Sequence, residues 1–415
     1  MNLLENVRCS TSNCEGSIIV LDEKVKGLGG SKMLNLGCSI CEWKLDFNSS
    51  HKMEKSKRSV ITTTILLSFL LSGATYSDYE KIFGSLVGES KTSDTTWYSF
   101  LEYLHPIVKQ LLDEQCEFVK NYMKSLPDSQ LGSWKRAVTT SDGCWQIRGH
   151  HSPNSTFVLA NFLEPAIIYY ENMSQRANTN DENKGDLGTS KSAEGRMADK
   201  IFQQCVDEGC FIETNFQDQD SNAYNTLTKY FPDAAYHCSG HVNRSFGNQL
   251  EKYSQIKNSD KNELDGLTCH CRRHKKNCGC ITKPFVTSAK INHFCIIKNA
   301  GKDPLKYQEG MENFGKYHSK DIHTWEGGQC DFHPLVVCCC EKRCESGNLS
   351  CKGKAYTVKF PLTCPFHSKC FELECIERGE QAFEIIHPEL GKGHSNIPES
   401  IFSILVHFRD KNTSL

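Results

Sequence analysis

Residues Asn215–His241 read NFQDQDSNAYNTLTKYFPDAAYHCSGH. Asp218 and Asp220 follow the run FIETNFQ (211–217), whose β-branched and aromatic residues predict a strand. SNAYNTLTKY then predicts an amphipathic helix stopped by Phe231-Pro232, and Cys238 and His241 come three residues apart. The stretch suits two metals of different character. A carboxylate at a strand end is a hard oxygen ligand for a cation such as Mg²⁺, whereas a Cys and a His at this step suit zinc. Zinc would need two further ligands here, and the alternative is a metal-free pair that braces the neighbouring acid through hydrogen bonds.

Upstream, KRAVTTSDGCW (135–145), STFVLANF (155–162) and PAIIYYENM (165–173) predict three strands, RANTNDENKGDLGTSKSAEG (176–195) a polar loop, and MADKIFQQCVDEGC (197–210) a helix. Three strands, a helix, a strand, a helix and a strand form an α/β order. Asp142 is expected at the end of the first strand and Asp218 at the end of the fourth. Two carboxylates on neighbouring strand ends are what a pair of divalent ions needs, and a third should complete the cage. HSNIPESIFSILVHFR (394–409) offers Glu399: Asn396 can cap a helix, Pro398 suits its first turn, and Ile401, Leu405 and Phe408 form an apolar stripe. Singly, each acid has a plain alternative as a turn residue or a helix cap.

The 23 cysteines of this 415-residue chain need a reason of their own, because a chain this long can bury a core without disulfides. The start MNLLENVRCS has no basic segment leading into an apolar run, so no secretory signal is expected and metal binding in a reducing compartment is the better account. Cys9 and Cys14, then Cys38 and Cys41, flank hairpin-like strands in the pattern of a zinc ribbon over residues 1–50. Residues 269–375 hold 14 further cysteines. Cys269, Cys271, Cys278 and Cys280 form one group, Cys330 and His333 belong to a second, and Cys364, His367, Cys370 and Cys375 form a third; their pairing is open, with Zn²⁺ as the expected ion. Inside the first group, Arg272, Arg273, Lys275 and Lys276 are candidate DNA contacts, although 48 basic against 50 acidic residues exclude an argument from overall charge.

Between these cysteine groups, residues 51–130 predict helices. Ile61, Ile65 and Phe69 recur every four residues, Tyr79, Ile82, Phe83 and Leu86 follow a break at Gly73, and Ser93-Asp94 caps a long helix that Pro106 should kink. A helix-turn-helix and a plain bundle fit equally. The longest apolar run, Val60–Tyr76, carries six Ser or Thr residues and is read as a buried helix, so no membrane partner is expected.

Taken in order, these motifs resemble Mutator-like element transposases, with the branch found in animal genomes nearest. SDGCWQIRGH (141–150) resembles the family's first-aspartate strand, the stretch around Asp218 its second-aspartate segment with Phe-Pro and the CxxH signature (Cys238, His241), and GHSNIPESIFSILVHFR its Asn-x-x-Glu helix. The resemblance implies a ribonuclease H-like mixed sheet (131–260) in which Asp142, Asp218 and Glu399 hold two Mg²⁺ or Mn²⁺ ions. Asp220 stands as the alternative to Asp218, which the family's step to Phe-Pro favours. The N-terminal cysteine pairs and the helical segment sit where such proteins carry DNA-binding parts, so the expected order is a zinc ribbon (1–50), a helical DNA-binding domain (51–130), the core, a Cys/His-rich zinc-binding insertion (261–380), read from its cysteine spacing, and a final core helix (381–415). The 181 residues between Asp218 and Glu399 leave room for that insertion. The implied partner is double-stranded DNA at the element's terminal inverted repeats, cut and joined by a homo-oligomer in the nucleus. Sixteen residues follow Glu399, which barely completes the last helix and suggests a shortened C-terminus. Rival readings are a decayed copy, a host-recruited DNA-binding regulator, and a zinc-rich interaction protein without nuclease activity.

Overall fold

The computed structural model describes residues 7–24, 33–48, 50–53, 59–71, 74, 76–87, 93–145, 154–174, 190–219, 222–255, 267, 269, 279–329 and 361–408. Its two compact units are residues 1–118 with 400–415, and residues 119–399.

In the first unit, strands β1 (Ile18–Lys24), β2 (Met33–Cys38) and β3 (Lys44–Asn48) pair antiparallel in that order. Three strands of five to seven residues with an exposed β3 bury little, which is why the four cysteines at their ends matter. Helices α1 (Val60–Leu71) and α2 (Tyr76–Val87) and the first part of α3 (Asp94–Ser125) share a core of Leu66, Tyr79, Trp97 and Phe100. Ser93 Oγ accepts from the Thr96 amide at 3.3 Å, the expected cap, and α3 runs unbroken through Pro106. Only one face of α1 is buried: Thr62 and Leu66 point inward, whereas Val60, Ile61 and Leu67 are exposed, because an apolar sequence with no periodic polar face gives the helix two apolar sides. No helix among the described residues is long and apolar enough to cross a membrane.

The second unit is built on a five-stranded mixed sheet of β4 (Ala137–Trp145), β5 (Asn154–Asn161), β6 (Ala166–Ser174), β7 (Ile212–Gln217) and β8 (Ala235–His237), ordered β6-β5-β4-β7-β8. β5 runs antiparallel to β4 and to β6, while β7 is parallel to β4 and β8 parallel to β7. The last turns of α3, helix α4 (Ser190–Asp207) and helix α5 (Asn222–Tyr230) pack Met123, Met197, Phe202 and Leu227 against Phe157 and Ile212 of the sheet. α4 begins one to two turns before the expected Met197, so residues 190–195 are helix and not loop. Ala193, Met197 and Ile201 form one buried stripe, and burying it outweighs the polar composition around it.

The central strand is buried although it reads Thr-Thr-Ser. Thr139 Oγ1 donates to Asn215 Oδ1 (2.8 Å), Thr140 Oγ1 to the Phe216 carbonyl (2.9 Å), and Ser141 Oγ to Gln217 Oε1 (3.2 Å). This polar seam locks β4 to β7 in one register, since a slip would orphan all three buried hydroxyls.

Beyond the sheet, α6 (Ser239–Gln255), α7 (Lys283–Ala300), α8 (Pro304–Lys316), α9 (Pro365–Glu380) and α10 (Ala382–Ile385) enclose a second core of Phe246, Ile297, Tyr307, Met311 and Phe371. The small hairpins β9 (Thr324–Trp325) with β10 (Gly328–Gln329), and β11 (Ile386–His387) with β12 (Gly391–Lys392), follow α8 and α10. From β12 the chain returns to the sheet: the His394 carbonyl lies 3.2 Å from Thr140 Oγ1, and the Ser239 amide donates to the Gly393 carbonyl (3.1 Å). Helix α11 (Asn396–Phe408) starts there.

Candidate functional site

The parallel ladder of β4 and β7 ends at the pair Thr140 and Phe216. Asp142 lies two residues past that pair, still inside β4, and Asp218 directly follows the end of β7; neighbouring strands of a sheet run about 5 Å apart. Asp142 is not at the end of its strand as expected. It pairs with Val158 inside β4, because β5 continues the antiparallel ladder three residues past it to Trp145. Only on the β7 side is it a strand end.

Glu399 reaches the same place from the first turn of α11. The backbone carbonyl of Ser395 accepts from the Glu399 amide (3.1 Å), and Ser395 Oγ donates to Glu399 Oε1 (3.2 Å), so Ser395, and not Asn396, closes the helix start. His241, in the first turn of α6, puts Nε2 at 3.8 Å from Asp218 Oδ2 and 3.9 Å from Glu399 Oε1. The second and third acids, 181 residues apart, therefore meet at one imidazole. Cys238 lies directly before α6, buried, and accepts from the Ser395 amide at 3.3 Å, with Ser395 Oγ also 3.3 Å from its sulfur. The CxxH pair thus links the second-acid segment to the third-acid helix. Among the described residues no other Cys or His completes a metal group with it.

Electrostatically the site is loaded with negative charge. Burial pushes the Asp142 carboxyl up to about 7; the Gly143 amide, at 2.8 Å, opposes the shift, and Glu194 and Glu399 add to it. The Cys238 sulfur, offered to the ring as an acceptor, and then Asp218, raise His241 to about 9. Burial pushes Cys238 up as well, but His241 and the Ser395 donors more than offset this and bring it down to about 7. Near neutral pH the pair carries thiolate and imidazolium character beside the acids.

Glu194 lies in the stretch 176–195 expected as a loop, and the structure places it on α4. Its carboxyl group packs so closely on Gly143 that a β-carbon there would sit 3.1 Å from Glu194 Cγ and 3.2 Å from Cδ. The signal was the Ala193–Met197 step, which extends the apolar stripe of α4 back past it. Ser395 carries no sequence signal, because a serine three residues before Pro398-Glu399 has no distinguishing pattern.

The cysteine groups fall into two sets. Cys9, Cys14, Cys38 and Cys41 bring their sulfurs within 4.8 Å of one another, with Cys9 to Cys41 at 3.6 Å and Cys14 to Cys38 at 3.5 Å. These are free thiols, far beyond disulfide bonding distance. The amides of Ile40 and Cys41 donate to Cys38 Sγ (3.3 and 3.4 Å) and lower its pKa, and Gly16 leaves space that a β-carbon would take from the same sulfur. The set fits zinc. The second set joins Cys269 and Cys280 to Cys364 and His367, across two of the groups expected from sequence. Spacing alone grouped Cys370 and Cys375 with Cys364 and His367. Cys370 instead packs with Cys269, Cys280 and Phe366 beside the set, and Cys375 turns into the second core, because α9 rotates successive side chains to different faces. Asp220, Cys271, Arg272, Arg273, Lys275, Lys276, Cys278, Cys330 and His333 lie outside the described residues.

No curated protein matches the chain. A family model described as Mutator-like transposase matches residues 1–283, a span that takes in the N-terminal cysteines, Asp142, Asp218, Cys238 and His241. With more than half of its length matched, this chain belongs to the Mutator-like transposase family.

Proposed function

We propose that the protein is a DNA transposase whose Asp142, Asp218 and Glu399 form a divalent-metal site for DNA strand cleavage and strand transfer. The observation that carries this reading is the convergence of the acids: Asp142 and Asp218 each two residues past the last pair of the parallel ladder, and Glu399 brought to Asp218 across His241. Three antiparallel strands followed by two parallel ones, with the acids on the central pair, support a ribonuclease H-like core. The donor set fits Mg²⁺ or Mn²⁺, since all three ligands are hard carboxylates and the Asp142 anion is disfavoured without a cation beside it. Divalent ions bound there supply Lewis acidity to phosphate oxygens and lower the pKa of bound water.

The chain's own residues have separable tasks. The polar seam holds β4, which carries Asp142, to β7, which leads to Asp218, Ser395 orients Glu399, and His241 holds positive charge between the last two acids while they are free of metal. The zinc ribbon and the helical segment are the parts we assign to DNA contact, with element ends as substrate, action in the nucleus and a homo-oligomer on DNA.

Purified protein with Mg²⁺ or Mn²⁺ should nick and join DNA that carries the terminal inverted repeats of its own element. Asp142→Asn should reduce this to background with an unchanged far-UV spectrum. Tight binding of the same DNA without cleavage by the wild type would replace this reading with that of a DNA-binding regulator.

A further inference from the structure

We propose that Cys269, Cys280, Cys364 and His367 form a structural zinc site that closes the helical insertion between the second and third acids. The four ligand atoms lie within 4.8 Å of one another, and Cys269, Cys280 and His367 are buried. Cys269 Sγ to Cys280 Sγ is 3.7 Å, and Cys364 Sγ to His367 Nδ1 is 3.4 Å. A tetrahedral ion with the usual Zn–S and Zn–N lengths has ligand edges of about 3.8 Å between sulfurs and about 3.5 Å between sulfur and nitrogen. The observed separations match those edges and are far too long for a disulfide.

The histidine is oriented as a ligand. His367 Nε2 lies 3.2 Å from the Tyr253 carbonyl. A carbonyl can only accept, so Nε2 carries the proton and Nδ1 turns its lone pair toward the sulfurs, the arrangement by which a backbone carbonyl fixes a metal-binding imidazole. The backbone is built to the same end. Gly279, at φ +71°, presents its carbonyl to the amides of Thr363 (3.0 Å) and Cys364 (2.9 Å), and a β-carbon there would collide with the Thr363 side chain. Cys364 then directly precedes α9, so the Cys-x-x-His step spans its first turn.

The position explains what the ion does. It joins the start of α7, the start of α9 and, through Tyr253, the last turn of α6, the helix whose first turn carries His241. A cross-link between Cys280 and Cys364 closes a long excursion of the chain, the case in which a metal clip restricts the unfolded state most. Cys364 and His367 lie beyond residue 283, outside the segment matched by the family model. The proposal rests on the cysteine and histidine geometry and not on the catalytic reading, and metal content tests it independently of DNA cleavage.

Zinc per chain is to be measured by elemental analysis of full-length protein purified without chelator. Cys364→Ser and His367→Ala should each lose about one equivalent relative to wild type, Cys370→Ser none, and His367→Cys should retain the wild-type content. Unchanged zinc in Cys364→Ser, or an equal loss in Cys370→Ser, would overturn the assignment. Should the ligand variants fail to fold, cobalt replacement in wild-type protein decides: thiolate charge-transfer and tetrahedral d–d bands must persist in a variant lacking all four N-terminal cysteines, and their disappearance there refutes the site.

Discussion

Asp142 sets the sign of the pH response at the acid site. Its folded pKa, raised to about 7 chiefly by burial, exceeds the value of about 3.9 of an unfolded aspartate. Its contribution to stability is therefore full below about pH 4 and lost as pH rises through 7 in metal-free protein. The difference in thermal midpoint between wild type and Asp142→Asn should follow that course, and saturating Mg²⁺ should shrink the loss near pH 7; a difference independent of pH would contradict the assignment. His293 has the opposite slope. Burial lowers it to about 3, and its neutral ring bonds Tyr307 and Asn243 at 2.9 and 3.0 Å. Its contribution is present above about pH 6.5 and falls away as pH drops toward 3. Because the two slopes oppose each other, difference curves for Asp142→Asn and His293→Gln should diverge in acid, which chemical denaturation across pH 4–7 would detect.

At the scale of elements, the segment between β12 and α11 decides whether Glu399 arrives at the site. Gly393 lies against the Phe216 ring so closely that a β-carbon has no space, and its carbonyl holds the Ser239 amide at the head of α6. Gly393→Ala should cost about 1–3 kcal/mol through overpacking and displace the segment that leads to Glu399. The expected result is a lower denaturation midpoint together with a DNA-cleavage loss larger than unfolding explains; a stable variant with full activity would show that the segment has slack. The strands, α3 with its cap and the amphipathic α5 were legible because each has its own periodicity. The start of α4 had a periodic signal, the Ala193–Met197–Ile201 stripe, hidden by the polar residues around it; the true start of α11 had none, since it is settled by contact with the Cys238 sulfur rather than by local pattern.

At the scale of the whole molecule, the four N-terminal cysteines belong to the unit of residues 1–118 and 400–415 and the second cysteine set to that of residues 119–399. Cys38→Ser with Cys41→Ser should remove about one zinc and abolish the cooperative unfolding of the three-stranded ribbon, while the transition of residues 119–399 keeps its midpoint. Calorimetry with parallel zinc analysis checks this, and a shift in both transitions would show that the units are coupled. The sequence by itself determined the family, the α/β order, the identity of the candidate acids and the cysteine content, because these depend on residue type and on order along the chain. The tertiary structure alone decided that β4 pairs parallel with β7, the strand that leads to Asp218, that Glu399 returns across 181 residues to the imidazole beside Asp218, and that Cys269 and Cys280 meet Cys364 and His367. Spacing cannot reveal such meetings, since ligands far apart in sequence are joined by the packing of the helices between them.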